Sequence, residues 1–575
     1  MSRRAVSSRC AIVAVALGAA VSCKPAASPV LPRFSADGVT LDWLDADVTG
    51  GTVALSGGAL RGTSDGGDVV LKMHWTVDGT QPARWWRQGW QSWSWSGVVD
   101  VPTNDDDPVA GGDGDAISVL QETANTSWEA AVLGRADGPS LHMGAQGATV
   151  GKVWLGVTAD EVWLVWDHPA AGVLEPVFLT TGTDPNVLWQ DWADQFDWPR
   201  PLGTPPTGWS DWYTYYGHAT EDDILRNADA AAAMGLDLVQ VDDGWEQAWG
   251  DWQANANFPD GTAGLASQIT GRGLRAGIWM APLLVDRSTP TYAAHTDWWV
   301  RDDAGVELTD SSCDCATLDV TQPDAAAWMQ AQISARVAEG WTYLKLDFLY
   351  AGAREGVRAD AVTGAQAYAL ATQLMRGAAG DDTWILACGA PMLPSVGFAD
   401  SFRSGADIAF STLPDPDRAF LRWQARNTAA RGWANGRWWW NDADNLMLGA
   451  DPTAAIAAQV ASGGPWLYGE ELSTVRAASQ FPLTNLQSLR GVRYAPTDPL
   501  NYASGIDGSP VIERADPNDT VPTEWIGEDG TTVLLNVSDD SLTVDGPGGV
   551  EQITGERATA GTRTLSAGTG EVWRK

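Results

Sequence analysis

The chain has 575 residues, 44% hydrophobic and 19% charged, which excludes a disordered polymer and supplies apolar material for roughly three or four domains. Lys and Arg number 36 against 73 Asp and Glu; a formal charge of -37 lacks the cationic footprint that phosphates need, so no nucleic-acid partner is expected. Five His and five Cys argue against a His-rich metal site, and 33 Trp, more than the 10 Phe and 10 Tyr together, call for an outlet beyond core filling; indole faces stacked on sugar rings are one.

Arg3, Arg4 and Arg9 precede an apolar run from Ala11 to Val21 that is too short to span a bilayer, the pattern of a signal peptide over 1–22. Ala20-Val21-Ser22-Cys23 resembles a bacterial lipobox, with Ala20 where Leu is usual. The expectation is lipidation of Cys23 and a tether over 23–35; ordinary secretory cleavage after Ala26 or Ala27 is the alternative. The implied address is outside a bacterial cytoplasm. It is a lipid-anchored protein of the outer membrane or cell surface, since no Asp follows Cys23, or else a periplasmic or secreted one. Cys313, Cys315 and Cys388 remain, an odd number; Cys313 can pair with Cys315 or with Cys388.

Residues 36–198 alternate apolar and polar with period two, as in Val69-Val70-Leu71-Lys72-Met73 and Val162-Trp163-Leu164-Val165-Trp166, and no convincing helix interrupts them. An N-terminal β-sandwich is expected, bounded by Pro199, Pro201, Pro205 and Pro206. Over 199–484 short apolar strands alternate with Ala-rich helices. Thr220 opens one that runs to Met234, and Asp324–Glu339 is another. Eight strands follow the pattern: Thr207–Trp212, Leu238–Asp243, Arg275–Met280, Tyr343–Phe348, Trp384–Gly389, Phe402–Asp407, Trp438–Asp442 and Pro465–Tyr468. That is a central (β/α)8 TIM barrel; the rival doubly wound sheet usually carries a Gly-rich phosphate turn after its first strand, which this chain lacks. Residues 485–575 return to β alternation at Val533–Val537, a small C-terminal β-sandwich.

Barrel chemistry lies at the C-terminal ends of the strands. Those ends carry Asp242-Asp243, Trp279, Lys345-Leu346-Asp347, Arg403 to Asp407, and Asn441-Asp442. Each alone has an ordinary structural explanation: an ion pair for Lys345 and Asp347, a loop cap for Asp407, a helix cap for one of the Asp pair, barrel filler for Trp279. Their convergence on one mouth points to glycosidic hydrolysis, which needs two carboxyl groups flanking an anomeric carbon. Alternation puts Lys345 and Asp347 on the same face, where the ammonium favours the ionised carboxylate. A metal-dependent lyase would instead need three acidic ligands on successive strands plus a Lys or His base.

The motifs in order resemble those of retaining α-galactosidases of glycoside hydrolase family 36. They are Trp90-Gln91-Ser92-Trp93, Gly208-Trp209-Ser210-Asp211-Trp212, Val241-Asp242-Asp243-Gly244-Trp245, Gly277-Ile278-Trp279-Met280, Leu344-Lys345-Leu346-Asp347, Cys388-Gly389-Ala390-Pro391, Arg403-Ser404-Gly405-Ala406-Asp407 and Trp440-Asn441-Asp442. The resemblance implies Asp347 as nucleophile and Asp407 as acid/base. It implies that Asp242 and Asp243 read the O4 and O6 of galactose and that Lys345 and Arg403 contact the sugar. Trp93 and Trp279 would shape the pocket, with Cys388 beside the sugar. The partner implied is an α-galactoside oligosaccharide or polysaccharide side chain; no metal and no cofactor is implied, and no oligomeric partner is read from the sequence. The alternatives are an α-N-acetylgalactosaminidase or transglycosylase of the same family, or a non-catalytic carbohydrate-binding lipoprotein. Asp211 departs from the small or neutral residue expected there, and the tail beyond Glu471 diverges. The segment from Trp85 to Trp95 holds five Trp around a polar tip of Gln91, Ser92, Ser94 and Ser96, so Trp93 is expected at the barrel mouth rather than in a sandwich core.

Overall fold

The computed structural model describes residues 33–43, 47–78, 83–101, 125–134, 138–196, 203–408, 416–448, 452–475, 486–500 and 520–575. The signal peptide 1–22 and Cys23 lie outside the described residues. The end of the expected tether differs: Arg33–Ala36 is a strand, paired antiparallel with Val39–Asp42. Asp37 and Gly38 both take positive φ (48° and 79°), the pattern of a two-residue hairpin turn whose twist suits flanking strands.

Two antiparallel sheets make the N-terminal domain. One runs in the order Arg33–Ala36, Val39–Asp42, Val69–Val77, Glu161–Asp167, Lys152–Val157, Thr126–Trp128. The other includes Val177–Gly182, Ser140–Ala145, Ala130–Gly134, Arg84–Arg87 and Gly97–Asp100. The helix-free reading needs one correction. Pro185–Ala193 is helical, started by the Asp184 side chain accepting from the Asn186 N–H at 2.9 Å and by Pro185 in the first turn. Its Trp189 and Trp192 are buried against the barrel side. Trp189 meets Trp86 at 5.0 Å, and Trp192 meets Trp433 at 5.1 Å and Trp438 at 4.8 Å between ring centroids. This seam absorbs much of the Trp surplus. An indole fills a large inter-domain volume while its N–H satisfies a backbone carbonyl, as Trp86 does at Ala430 O (3.2 Å) and Trp438 at Ala193 O (3.1 Å).

All eight barrel strands form, at Thr207–Ser210, Leu238–Val241, Arg275–Met280, Tyr343–Leu346, Trp384–Ala387, Ser401–Arg403, Trp440–Asp442 and Trp466–Tyr468. They are parallel, each paired with its sequence neighbour from the first to the seventh, and the eighth pairs with the first. Closure between seventh and eighth runs through one parallel bridge, Leu446 to Tyr468, so the barrel is nearly closed. Several strands are shorter than the sequence implies, and their ends become the loops that carry the chemistry. The helices form as their caps dictate. Thr220 and Asp223 make a reciprocal capping box for Glu221–Ala233, and Gly235 stops it at φ 71°. Thr363 and Gln366 do the same for Gly364–Ala379. The C-terminal domain is a six-stranded sheet with a two-stranded partner, and its last strand, Thr569–Arg574, lies on the barrel helix Thr453–Ser462.

At the seam between strands seven and eight, a Cβ on Gly464 would overlap the carbonyl oxygen of Asn441, whereas Gly377, exposed on its helix, has open space around it. Gly464→Ala should destabilise the protein by about 1–3 kcal/mol or more, while Gly377→Ala should stabilise by about 0.5–1 kcal/mol. Thermal melts of the two variants should therefore shift in opposite directions; equal shifts would remove Gly464 as the closure point.

Candidate active site

Lys345 stands on the fourth strand with its ammonium between two carboxylates, 2.9 Å from Asp242 Oδ2 and 3.9 Å from Asp347 Oδ2. All three are buried. Burial works to discharge the lysine, yet Asp242 and then Asp347 hold its pKa well above the ordinary value. Asp242 is held further by Gln240 Nε2, which donates at 2.5 Å, and its backbone N–H donates to Asp211 Oδ1 at 2.6 Å. The two oxygens of Asp347 have separate donors. Oδ1 accepts from the Phe348 N–H at 2.8 Å, and Oδ2 accepts from Trp279 Nε1 at 3.0 Å. Phe348 takes φ 55°, a conformation that costs energy for a bulky residue and clusters at functional sites. Burial pushes the Asp347 carboxyl above its usual pKa; Lys345, Trp279 and Cys388 pull it back, and Asp407 adds to the rise.

Asp407 lies in the loop after the sixth strand rather than on it. Arg403, buried on that strand, donates to Asp407 Oδ1 and to Asp444 Oδ2, each at 3.0 Å. Tyr213 donates its hydroxyl to Asp444 and accepts from the Ile408 N–H at 3.0 Å, which fixes the backbone beside Asp407. Burial raises the Asp444 carboxyl to about 6, with Arg403 opposing and Asp407 adding. Between the two halves sits the free thiol of Cys388, buried, with Trp93 Nε1 at 3.2 Å and Arg403 at 3.7 Å. Burial first, then Asp347, with a smaller push from Asp407, holds this thiol well above its ordinary pKa. Both carboxylates thus bear on one buried sulfur. Cys313 and Cys315 are joined by a disulfide elsewhere.

Trp93 is at the mouth. Its ring meets Phe348 edge-on at 5.0 Å and Tyr350 at 5.9 Å. The loop is held there by Arg431, buried at the end of the helix Pro416–Arg431. Its guanidinium donates to the carbonyls of Gln91 (3.0 Å), Ser92 (2.5 Å) and Ser94 (2.9 Å), and to Ser404 O of the barrel (3.0 Å). Nothing in the local sequence marks Arg431, because every partner is remote. Trp249 was also missed. Its Nε1 donates to Asp243 Oδ1 at 3.0 Å, and its ring packs on Trp279 at 5.2 Å and Phe348 at 4.8 Å. Two buried carboxyls back the Asp pair. Burial, then Asp242, lifts Asp211 to about 8; burial, then Asp243, lifts Glu246 to about 9. The departure at Asp211 was the one available signal for this arrangement.

A melibiase family model matches residues 205–368, the segment that holds Asp242, Asp243, Trp279, Lys345 and Asp347. The match takes in the first four strands of the barrel. Two curated relatives are the bifunctional α-galactosidase/sucrose kinase AgaSK of Mediterraneibacter gnavus (35% identical over 98 residues) and α-galactosidase AgaA of Geobacillus stearothermophilus (35% over 97 residues). The matched stretch is 16% of this chain and only 10% and 13% of those proteins' lengths. In structure the chain is similar to TtGalA, an α-galactosidase from Thermus thermophilus solved with p-nitrophenyl α-D-galactopyranoside. The TM-score is 0.65 at 25% identity, covering 86% of this chain and 97% of that one. The structure of AgaA, a family 36 α-galactosidase, shares the fold at TM-score 0.58 and 14% identity, covering 93% of this chain and 81% of that one. The relatives in sequence and in structure are thus α-galactosidases, which are glycoside hydrolases.

At this site Lys345 is the main cation lowering the Asp347 pKa. Lys345→Met should therefore move the Asp347 titration to higher pH, read directly by carbon NMR of the labelled carboxyl. An unmoved or lowered titration would show that Trp279 and Cys388 alone hold the carboxylate.

Proposed function

We propose that this chain is an exported retaining α-galactosidase that removes terminal α-galactosyl groups from oligosaccharides or polysaccharide side chains. The observation that carries the reading is the placing of Asp347 and Asp407 at one barrel mouth, where Lys345 bridges Asp242 and Asp347 while Arg403, 3.7 Å from the Cys388 thiol, holds Asp407 at 3.0 Å. The TtGalA structures, one in complex with p-nitrophenyl α-galactoside and one with stachyose, support the substrate class.

The galactose ring enters against Asp242 and Asp243, which accept from its hydroxyls while Trp279 and Trp93 bound its faces. Asp347 attacks the anomeric carbon as Asp407 gives its proton to the departing glycosidic oxygen. The bond formed is an ester of Asp347; the bond broken is the one to the leaving group. With both oxygens held by Trp279 and Phe348, the carboxylate arrives oriented. Water then attacks the same carbon, Asp407 takes the water's proton, and Asp347 leaves as carboxylate, so the anomeric configuration is restored after two inversions. Retention of this kind works with carboxyl groups about 5–5.5 Å apart.

Turnover of p-nitrophenyl α-galactoside above the α-glucoside and the α-N-acetylgalactosaminide is the expected outcome; preference for the last would replace the reading by its same-family alternative. Asp347→Ala should lose turnover and, with azide, yield the β-galactosyl azide, because a small anion fills the place of the carboxylate. Asp407→Ala should lose about 10²–10⁴-fold on an oligosaccharide and much less on the aryl substrate, whose leaving group needs no acid. Equal losses on both substrates, with azide product from neither variant, would remove the two assignments.

Export with lipidation at Cys23 is part of the same proposal, supported by the basic, apolar and lipobox-like order of the first 23 residues. Cys23→Ser should abolish incorporation of labelled palmitate and move the protein from the membrane to the soluble fraction. Retention of label in that variant would refute the anchor.

A further inference from the structure

The aromatic rings at the barrel mouth fall into two groups. Trp249, Trp279, Phe348 and Trp93 surround Asp347, Asp243 and Cys388, packed against one another. The second group follows the first barrel strand: Trp212, Tyr213 and Tyr216. Among the residues whose burial is described, Tyr216 is the one Trp, Tyr or Phe that is exposed, at 45%. It ends the one-turn helix Trp212–Tyr215 in the left-handed region, at φ 45° and ψ 55°, which a bulky residue enters only when its surroundings insist. The surroundings are on both sides. A Cβ on Gly244 would overlap Gly217, so this loop is pressed against the turn that follows Asp242-Asp243. The ring itself stands edge-on to Trp212 at 5.6 Å and to Tyr213 at 6.1 Å. Tyr213 in turn holds the Ile408 N–H, next to Asp407. Burial of part of the ring, then Asp407 and Asp444, raises the Tyr216 phenol above its ordinary pKa, consistent with a ring near both carboxylates.

A strained, exposed aromatic held rigid beside the proton donor suits one chemical task. The group leaving with Asp407's proton must be oriented, but it must also depart. One open aromatic face offers a sugar ring apolar C–H contact worth about one order of magnitude in affinity, without enclosing it. We propose that Tyr216, propped by Trp212, is the stacking face for the sugar ring of the leaving group, so that the site is built for galactose linked to another sugar ring. The proposal rests on the α-galactosidase reading and on Asp407 as its acid.

The test compares raffinose, whose leaving group is a sugar, with α-galactosyl fluoride, whose leaving group has no ring. In Tyr216→Ala the ratio of kcat/KM for raffinose to kcat/KM for the fluoride should fall about tenfold, mostly through KM, and Tyr216→Trp should restore it. An unchanged ratio in Tyr216→Ala, or a ratio that Tyr216→Trp fails to restore, overturns the stacking face while leaving the α-galactosidase reading intact. A wild-type protein that turns over neither substrate overturns that reading, and the stacking face with it.

Discussion

The site is organised by one buried ammonium. Lys345 can stay charged in the barrel only because Asp242 and Asp347 are both within reach, and Lys345 in turn opposes the rise that burial imposes on the Asp347 pKa. Removing one member of a buried ion pair typically costs about 3–5 kcal/mol, because its partner is left uncompensated. The three side chains are therefore mutually obligatory, and their spacing is set by the parallel register of the sheet. Lys345 pairs with Trp279 across strands three and four, which brings the Trp279 indole over Asp347 two residues on. A second cation repeats the device on the other flank, where Arg403 holds Asp407 and Asp444.

The excess of acid around these cations explains the rest of the local chemistry. Asp211, Glu246 and Asp444 are buried carboxyls close to charges of their own sign, and burial plus repulsion raises each pKa. At neutral pH Asp211 and Glu246, near 8 and 9, keep their protons, which spares the floor two further negative charges. They act through Asp242 and Asp243, whose orientation they back, rather than on the sugar. The strongly negative chain thus has a mouth in which two buried cations, Lys345 and Arg403, each sit between a pair of carboxyl groups.

The N-terminal domain is part of the barrel's mouth. Arg431 spends its guanidinium on four carbonyls, three from the loop 91–96 and one from the barrel, and a backbone guided in this way cannot drift without leaving a buried charge unpaired. The Trp seam of Trp86, Trp189, Trp192, Trp433 and Trp438 does the same for the two domains as bodies. Composition pointed the surplus of Trp toward sugar stacking. Five of the 33 instead fill this interface and many others are buried in the sandwich and barrel cores, because a large rigid ring with a single donor is suited to a volume lined by backbone carbonyls.

Local rules account for what the sequence alone determined. Period-two and helical alternation located all eight barrel strands, the capping pattern at Thr220 located the start of one barrel helix, and the strand-end rule singled out Asp242, Asp243, Trp279, Lys345 and Asp347 as candidates, since same-face placement two residues apart follows from the pleat. The helix at Pro185 was not read from the sequence, where β alternation surrounds it. What needed the tertiary structure is whatever depends on long-range pairing. Trp93 reaches Cys388 across 295 residues, Arg431 reaches Ser92 across 339, and Tyr213 meets Asp444 across 231. The choice of Cys315 over Cys388 as the partner of Cys313, the burial that lifts Asp211 and Glu246, and the loop position of Asp407 belong to the same class. A residue's type and spacing fix which face it presents. Which remote group meets that face, and how far water is excluded from the pair, is decided only when the barrel closes and the β domain seats on it.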